Sequence, residues 1–161
     1  MRIITVSNGS NEYPGNFTPK EIKYIKLWCF GRVLHLFSGK SNIGHTRVDY
    51  KFGNIKEDVF IFLQNNHNYF DTVIIDAPYN KRFADKYQEL SNTPSQFIIF
   101  ANTKKTTLLF KYLLEMKPEY IILKSWNYYC LKGYHIQHSL LCYPGGYRKS
   151  TILLLMERNE L

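Results

Sequence analysis

Four short apolar runs constrain this chain more than anything else in it. They are Val33-Leu34-His35-Leu36-Phe37, Thr72-Val73-Ile74-Ile75-Asp76, Phe97-Ile98-Ile99-Phe100 and Tyr120-Ile121-Ile122-Leu123. Each is short for a globular helix and too continuously apolar for a strand with one wet face. Runs of this kind, bounded by loop residues, are what strands buried on both faces of a parallel sheet require. Between and before them lie helical patterns. Thr18-Pro19-Lys20-Glu21 reads as a helix start, with Thr at the N-cap, Pro in the first turn and Glu21 three residues on. That helix is expected to reach about Phe30 and end at Gly31. Residues 103–116 read as a second helix, with Leu109, Tyr112, Leu113 and Met116 on one face. Residues 56–65 suit a helix, although their β-branched and aromatic content leaves a strand open.

The remaining segments are weaker signals. Residues 1–16 read as an extended lead-in, 46–50 as a second strand, and 80–95 as a polar loop or partly helical lid. Residues 135–143 and 151–156 flank Pro144-Gly145-Gly146 and read as a hairpin. The expected fold class is α/β, a mostly parallel sheet with a C-terminal antiparallel hairpin strand. Residues 1–161 are expected to form one domain with no separate target-recognition domain. Ligands of such sheets sit at the carboxyl ends of the strands, so the chemistry is expected after Phe37, Val48, Ile75, Phe100 and Leu123.

Charge narrows the partners. Twenty-one Lys and Arg against 13 Asp and Glu give a formal net charge of +8, which favours a polyanion through counterion release. The sequence has no run of about 18 apolar residues to span a membrane, and its start lacks the apolar core of a secretory signal. No membrane partner and a cytoplasmic location are the expectations. Cys29, Cys130 and Cys142 form no C-x-x-C pair, which argues against a zinc site or a disulfide framework, and no metal is expected. His35 reads as a core histidine with its hydrogen bonds met.

Two motifs stand at strand ends. Ser38-Gly39-Lys40-Ser41 resembles a phosphate loop only in part, because position 34 is Leu where such a loop needs Gly. A Gly turn that lets a ligand approach the backbone remains. The second motif is Asp76-Ala77-Pro78-Tyr79. An exocyclic amine is a poor nucleophile because its lone pair is delocalised into the ring. The Asp76 carboxylate and the Ala77 carbonyl can each accept a hydrogen from it and localise that pair. Pro78 rigidifies the turn, and Tyr79 offers a face for a flipped base.

Taken together, the Gly turn, the acid at Asp49 and Asp76-Ala77-Pro78-Tyr79 resemble the S-adenosylmethionine-dependent amino-methyltransferases. The closest subgroup is the DNA adenine-N6 methyltransferases, whose tetrapeptide is Asp/Asn-Pro-Pro-Tyr/Phe; here Ala77 replaces the first Pro. Phe17-Thr18-Pro19 is similar to the segment that holds the methionine moiety of the cofactor in that family. The resemblance spans roughly residues 17–157 and implies a Rossmann-like class I methyltransferase fold. It implies Asp76, Ala77, Pro78 and Tyr79 as the catalytic group. Phe17, Thr18, Pro19, Phe37, Ser38, Gly39, Asp49, Asn54, Ile55 and Asp76 would hold S-adenosyl-L-methionine. Asp49 would take the ribose hydroxyls, and Asn54 or Ile55 would lie beside the adenine. Gly39 and Asp49 are only ten apart, so the helix between the first two strands of such a fold must shrink to a turn.

The implied activity is direct methyl transfer to adenine N6 in DNA, as a monomer or homodimer. Cytosine N4 or an RNA base is the first alternative, and an inactive nucleic-acid-binding module the second. Sequence recognition would fall to loops. Lys81, Arg82, Lys86, Lys124, Trp126, Asn127, Lys132, Arg148 and Lys149 mix cations with aromatic and amide groups suited to phosphates and bases.

Overall fold

The computed structural model describes residues 2–5, 17–78, 103–143 and 150–160, together with Asp85 and Glu89. Seven strands form one sheet: β1 (Arg2–Thr5), β2 (Val33–Leu36), β3 (Thr46–Val48), β4 (Thr72–Ile75), β5 (Tyr120–Ser125), β6 (Tyr134–Tyr143) and β7 (Thr151–Arg158). Their order is β1-β6-β7-β5-β4-β2-β3. Only β7 runs against its neighbours, pairing antiparallel with both β5 and β6; the other ladders are parallel. The fold is therefore mixed α/β with a mostly parallel sheet and a reversed strand from the C-terminal hairpin, as expected.

Three helices among the described residues cover the two faces: α1 (Pro19–Trp28), α2 (Val59–Asn65) and α3 (Thr103–Met116). The β2, β4 and β5 runs are buried on both sides, and alternate residues serve different cores. Leu34, Leu36, Val73, Ile75, Ile121 and Leu123 pack with Val59 and Phe62 of α2 and Leu109 and Leu113 of α3. Val33, Ile74 and Ile122 pack with Ile25 of α1 and with Phe17. This division explains why those runs read as unbroken apolar stretches.

Local chemistry sets the helix starts. Thr18 Oγ1 accepts the Glu21 N–H at 3.3 Å while Glu21 Oε2 accepts the Thr18 N–H at 2.7 Å, a reciprocal capping box. Asp58 Oδ1 accepts the Phe60 and Ile61 N–H groups, which decides residues 56–65 for a helix over a strand. The first helix ends at Trp28, slightly early. Part of the lead-in is more ordered than expected, since β1 adds to the sheet edge parallel to β6. No helix intervenes between β2 and β3. The run 97–100 and most of 80–95 lie outside the described residues. Among those described, no helix is long and apolar enough to cross a membrane.

Candidate functional site

Because β2, β3, β4 and β5 are parallel, their carboxyl ends open on one edge of the sheet. That edge gathers Phe37-Ser38-Gly39, Asp49, Asp76-Ala77-Pro78 and Lys124-Ser125, with the start of α1 beside them. The chain leaves β2 in a tight turn. Phe37 adopts φ 59° and Gly39 φ 50°, and the left-handed region costs a non-glycine residue about 1–2 kcal/mol. Outliers of this kind concentrate at ligand sites. The Ser38 N–H donates to the Val48 carbonyl at 3.2 Å, joining the turn to β3. Ser38 is 3% exposed, and its Oγ has no hydrogen-bond partner among the described residues.

Asp49 links this turn to the loop that follows β3. Its Oδ2 accepts the Gly39 N–H at 3.0 Å, and its Oδ1 accepts the Lys51 and Phe52 N–H groups at 3.0 Å each. Three of the roughly four lone-pair directions of a carboxylate are thus taken by the main chain. The loop folds back on β3 through Asp49 N–H to Ile55 O and Ile55 N–H to Arg47 O. Gly53 makes this possible: a Cβ there would stand 2.7 Å from Asp49 N and 2.8 Å from Ile55 O. Asn54 is committed as well. Its Oδ1 accepts the Arg47 N–H at 2.6 Å and its Nδ2 donates to the His45 carbonyl at 2.9 Å, closing the open edge of β3. Ile55, half-buried, bridges to Val48.

Asp76 is 7% exposed at the end of β4, and Ala77 beside it is buried. On the next strand Lys124 is 5% exposed, with Nζ 3.2 Å from Glu21 Oε2. The same Glu21 oxygen caps α1, so one buried carboxylate serves both a helix start and an ammonium. Lys124 Nζ also lies 5.1 Å from the centre of the Phe17 ring. Burial opposes the charge on Lys124, but Asp76 and Glu21 outweigh it and hold the ammonium above the usual lysine range.

Phe17 stacks on His35 with ring centres 5.7 Å apart. His35 Nδ1 lies 3.0 Å from the Ile43 carbonyl oxygen, which places the proton on Nδ1. Nε2 is buried and without a partner among the described residues, so the histidine is only half satisfied. Burial pushes its pKa down to about 4.

The sequence expectations fare unevenly. Phe17, Thr18, Phe37, Ser38, Gly39, Asp49, Asp76, Ala77 and Pro78 come together at this edge, with Pro19 exposed on the first turn of α1. Lys124 is corrected: it belongs to β5, because the strand runs on through Ser125, and it is buried and ion-paired instead of facing a phosphate. Trp126 is half-buried; Asn127 and Lys132 are exposed. Tyr79, Lys81, Arg82, Lys86, Arg148 and Lys149 lie outside the described residues.

Sequence reasoning missed three features. The Glu21–Lys124 pair joins residues 103 apart in the chain, for which a lone Glu and Lys carry no signal. The bracing role of Asn54 and Gly53 is equally silent. Lys40 and Lys51, both exposed, lie 5.6 and 5.5 Å from the centre of the Phe52 ring, and the Lys51-Phe52 neighbours were the only hint. No protein-family model matches the chain, and no curated protein matches it.

Proposed function

We propose that this chain is an S-adenosylmethionine-dependent amino-methyltransferase that methylates adenine N6 in DNA. One observation carries the reading: a nearly buried Asp76 ends the central β4, one strand from the Ser38–Gly39 turn, at the edge where parallel sheets hold ligands. The strand order supports it, with a single reversed strand between β5 and β6, as the class I methyltransferase arrangement implied by the motifs would have. The residues present suit the cofactor. Ser38 offers a buried hydroxyl without a protein partner, Gly39 a turn without a Cβ, and Phe17 and Thr18 a wall at the start of α1. Asn54 is less suited, since both ends of its amide are spent on β3.

S-adenosylmethionine, when bound, supplies an electrophilic methyl group. The work of the chain is to make a weak nucleophile attack. The Asp76 carboxylate and the Ala77 carbonyl accept the two hydrogens of the exocyclic amine, drawing its lone pair out of conjugation and aiming it in line. Pro78 holds that carbonyl in a fixed turn, and Tyr79 stacks on the flipped base. Lys132 with Asn127, and Lys40 with Lys51, supply exposed polar and cationic groups near the edge for the nucleic-acid backbone.

Asp76→Ala is expected to abolish methyl transfer while donor affinity, read by calorimetry, changes little. A fully active variant refutes the assignment. Mass spectrometry of the modified nucleoside separates adenine N6 from cytosine N4 and DNA from RNA. The commitment of the Asp49 carboxylate to three backbone amides favours the second reading, a nucleic-acid-binding module without cofactor. Absent donor binding would select it.

A further inference from the structure

Lysine is among the residues least often buried unless paired, and Lys124 has no part in the chemistry derived above. Its ammonium lies between Glu21 Oε2 and the Phe17 ring. One residue past the Ile75–Leu123 register pair, Lys124 stands beside Asp76 on the adjacent parallel strand. Both follow residues, Ile74 and Ile122, that face the α1 side of the sheet two positions earlier. A single cation is thus flanked by two carboxylates inside the protein, and each favours its charge.

We propose that Lys124 is a positioning residue, the counter-charge that keeps the Asp76 carboxylate ionised and seated when a base closes over it. The proposal rests on the amino-methyltransferase reading. Closing the site strips the remaining water from Asp76, and desolvation favours the neutral acid. A protonated carboxyl presents a donor where the amine needs an acceptor. A cation on the neighbouring strand opposes that protonation. Glu21 anchors the cation and, through the Thr18 N–H, ties the start of α1 to it. The other titratable groups on this side are Cys142 of β6 and His35 of β2. Burial, with Glu21 adding to it, pushes the Cys142 thiol up to about 12, and His35 is held near 4. Neither changes charge between about pH 6 and pH 9.

The test is single-turnover methyl transfer across about pH 6–9, with donor affinity measured in parallel by calorimetry. The full chain is compared with Lys124→Met and with the double variant Glu21→Gln/Lys124→Met. In Lys124→Met the acid limb is expected to move up by about one to three pH units, so that the rate falls about tenfold or more near pH 6.5 and recovers toward pH 9. Donor affinity should stay within about threefold. The double variant leaves no unpaired buried charge and is the safer one to fold; its limb should also rise, by less, because Asp76 has lost a nearby anion as well. A packing defect would lower the rate equally at every pH. A uniform fall, or a wild-type profile in either variant, overturns the role of Lys124. Should Lys124→Met fail to fold, the double variant decides alone. A wild-type chain inactive on both DNA and RNA overturns the methyltransferase reading, and the role of Lys124 falls with it.

Discussion

Replacing Asp49 by alanine removes the acceptor for three backbone N–H groups at once. The Gly39 and Phe52 bonds are part-buried and the Lys51 bond is exposed. Counting about 1 kcal/mol for each part-buried bond and about 0.5 for the exposed one gives a loss of about 2.5 kcal/mol. For a chain of this size that corresponds to a fall in Tm of about 5–10 °C. Urea unfolding measures the free energy, and a calorimetric donor titration on the folded variant measures the site. The variant should bind the donor more weakly, because the Ser38–Gly39 turn loses its tie to the loop after β3. Asp49→Asn keeps one acceptor oxygen, which can serve either Gly39 or the Lys51–Phe52 pair, and should recover about half the lost stability. A destabilisation below about 0.5 kcal/mol would refute the reasoning, since that is the range of ordinary surface substitutions.

Gly53→Ala should cost about 2–3 kcal/mol in the same unfolding assay, because its new methyl meets main-chain atoms of Asp49 and Ile55 that cannot swing aside. His35 gives a pH signature. The folded ring stays neutral down to about 4, whereas the unfolded one protonates below about 6.5. The unfolded state therefore binds more protons in that window, and stability is full above it and lost as pH falls, by up to about 3 kcal/mol. His35→Gln should flatten the stability–pH curve there; an unchanged slope would assign the acid sensitivity to other groups. Changing Lys81 and Arg82 together to alanine should weaken DNA binding and lower its salt slope by about 2. An unaltered slope, read by fluorescence anisotropy across salt, would place the DNA path elsewhere.

How much was legible follows from the range of the interactions. The β2, β4 and β5 runs and the capping box at Thr18 were plain, because continuous burial and a reciprocal cap are written in neighbouring residues. The end of β5 was misread. Lys124 looks like the first residue of a basic loop until Glu21, distant in sequence, supplies the carboxylate that lets it be buried. Asp49 was picked out by its place at a strand end, but its three amide bonds arise from a loop that folds back only because Gly53 and Asn54 brace it. His35 passed for an ordinary core histidine, and its unpartnered nitrogen emerges only from the packing of Phe17.

By itself the sequence determined the class of fold, the parallel strands and the helix starts, and which residue types stand at the strand ends. Periodicity, caps and turn residues act over a few positions, and the hydrophobic effect enforces them. The tertiary structure decided which charges are solvated and which are sealed. Whether a lysine meets phosphate or carboxylate depends on what packs beside it, and that is a long-range property. The +8 charge points outward toward a polyanion, but Lys124 faces inward, paired with Glu21 beside Asp76.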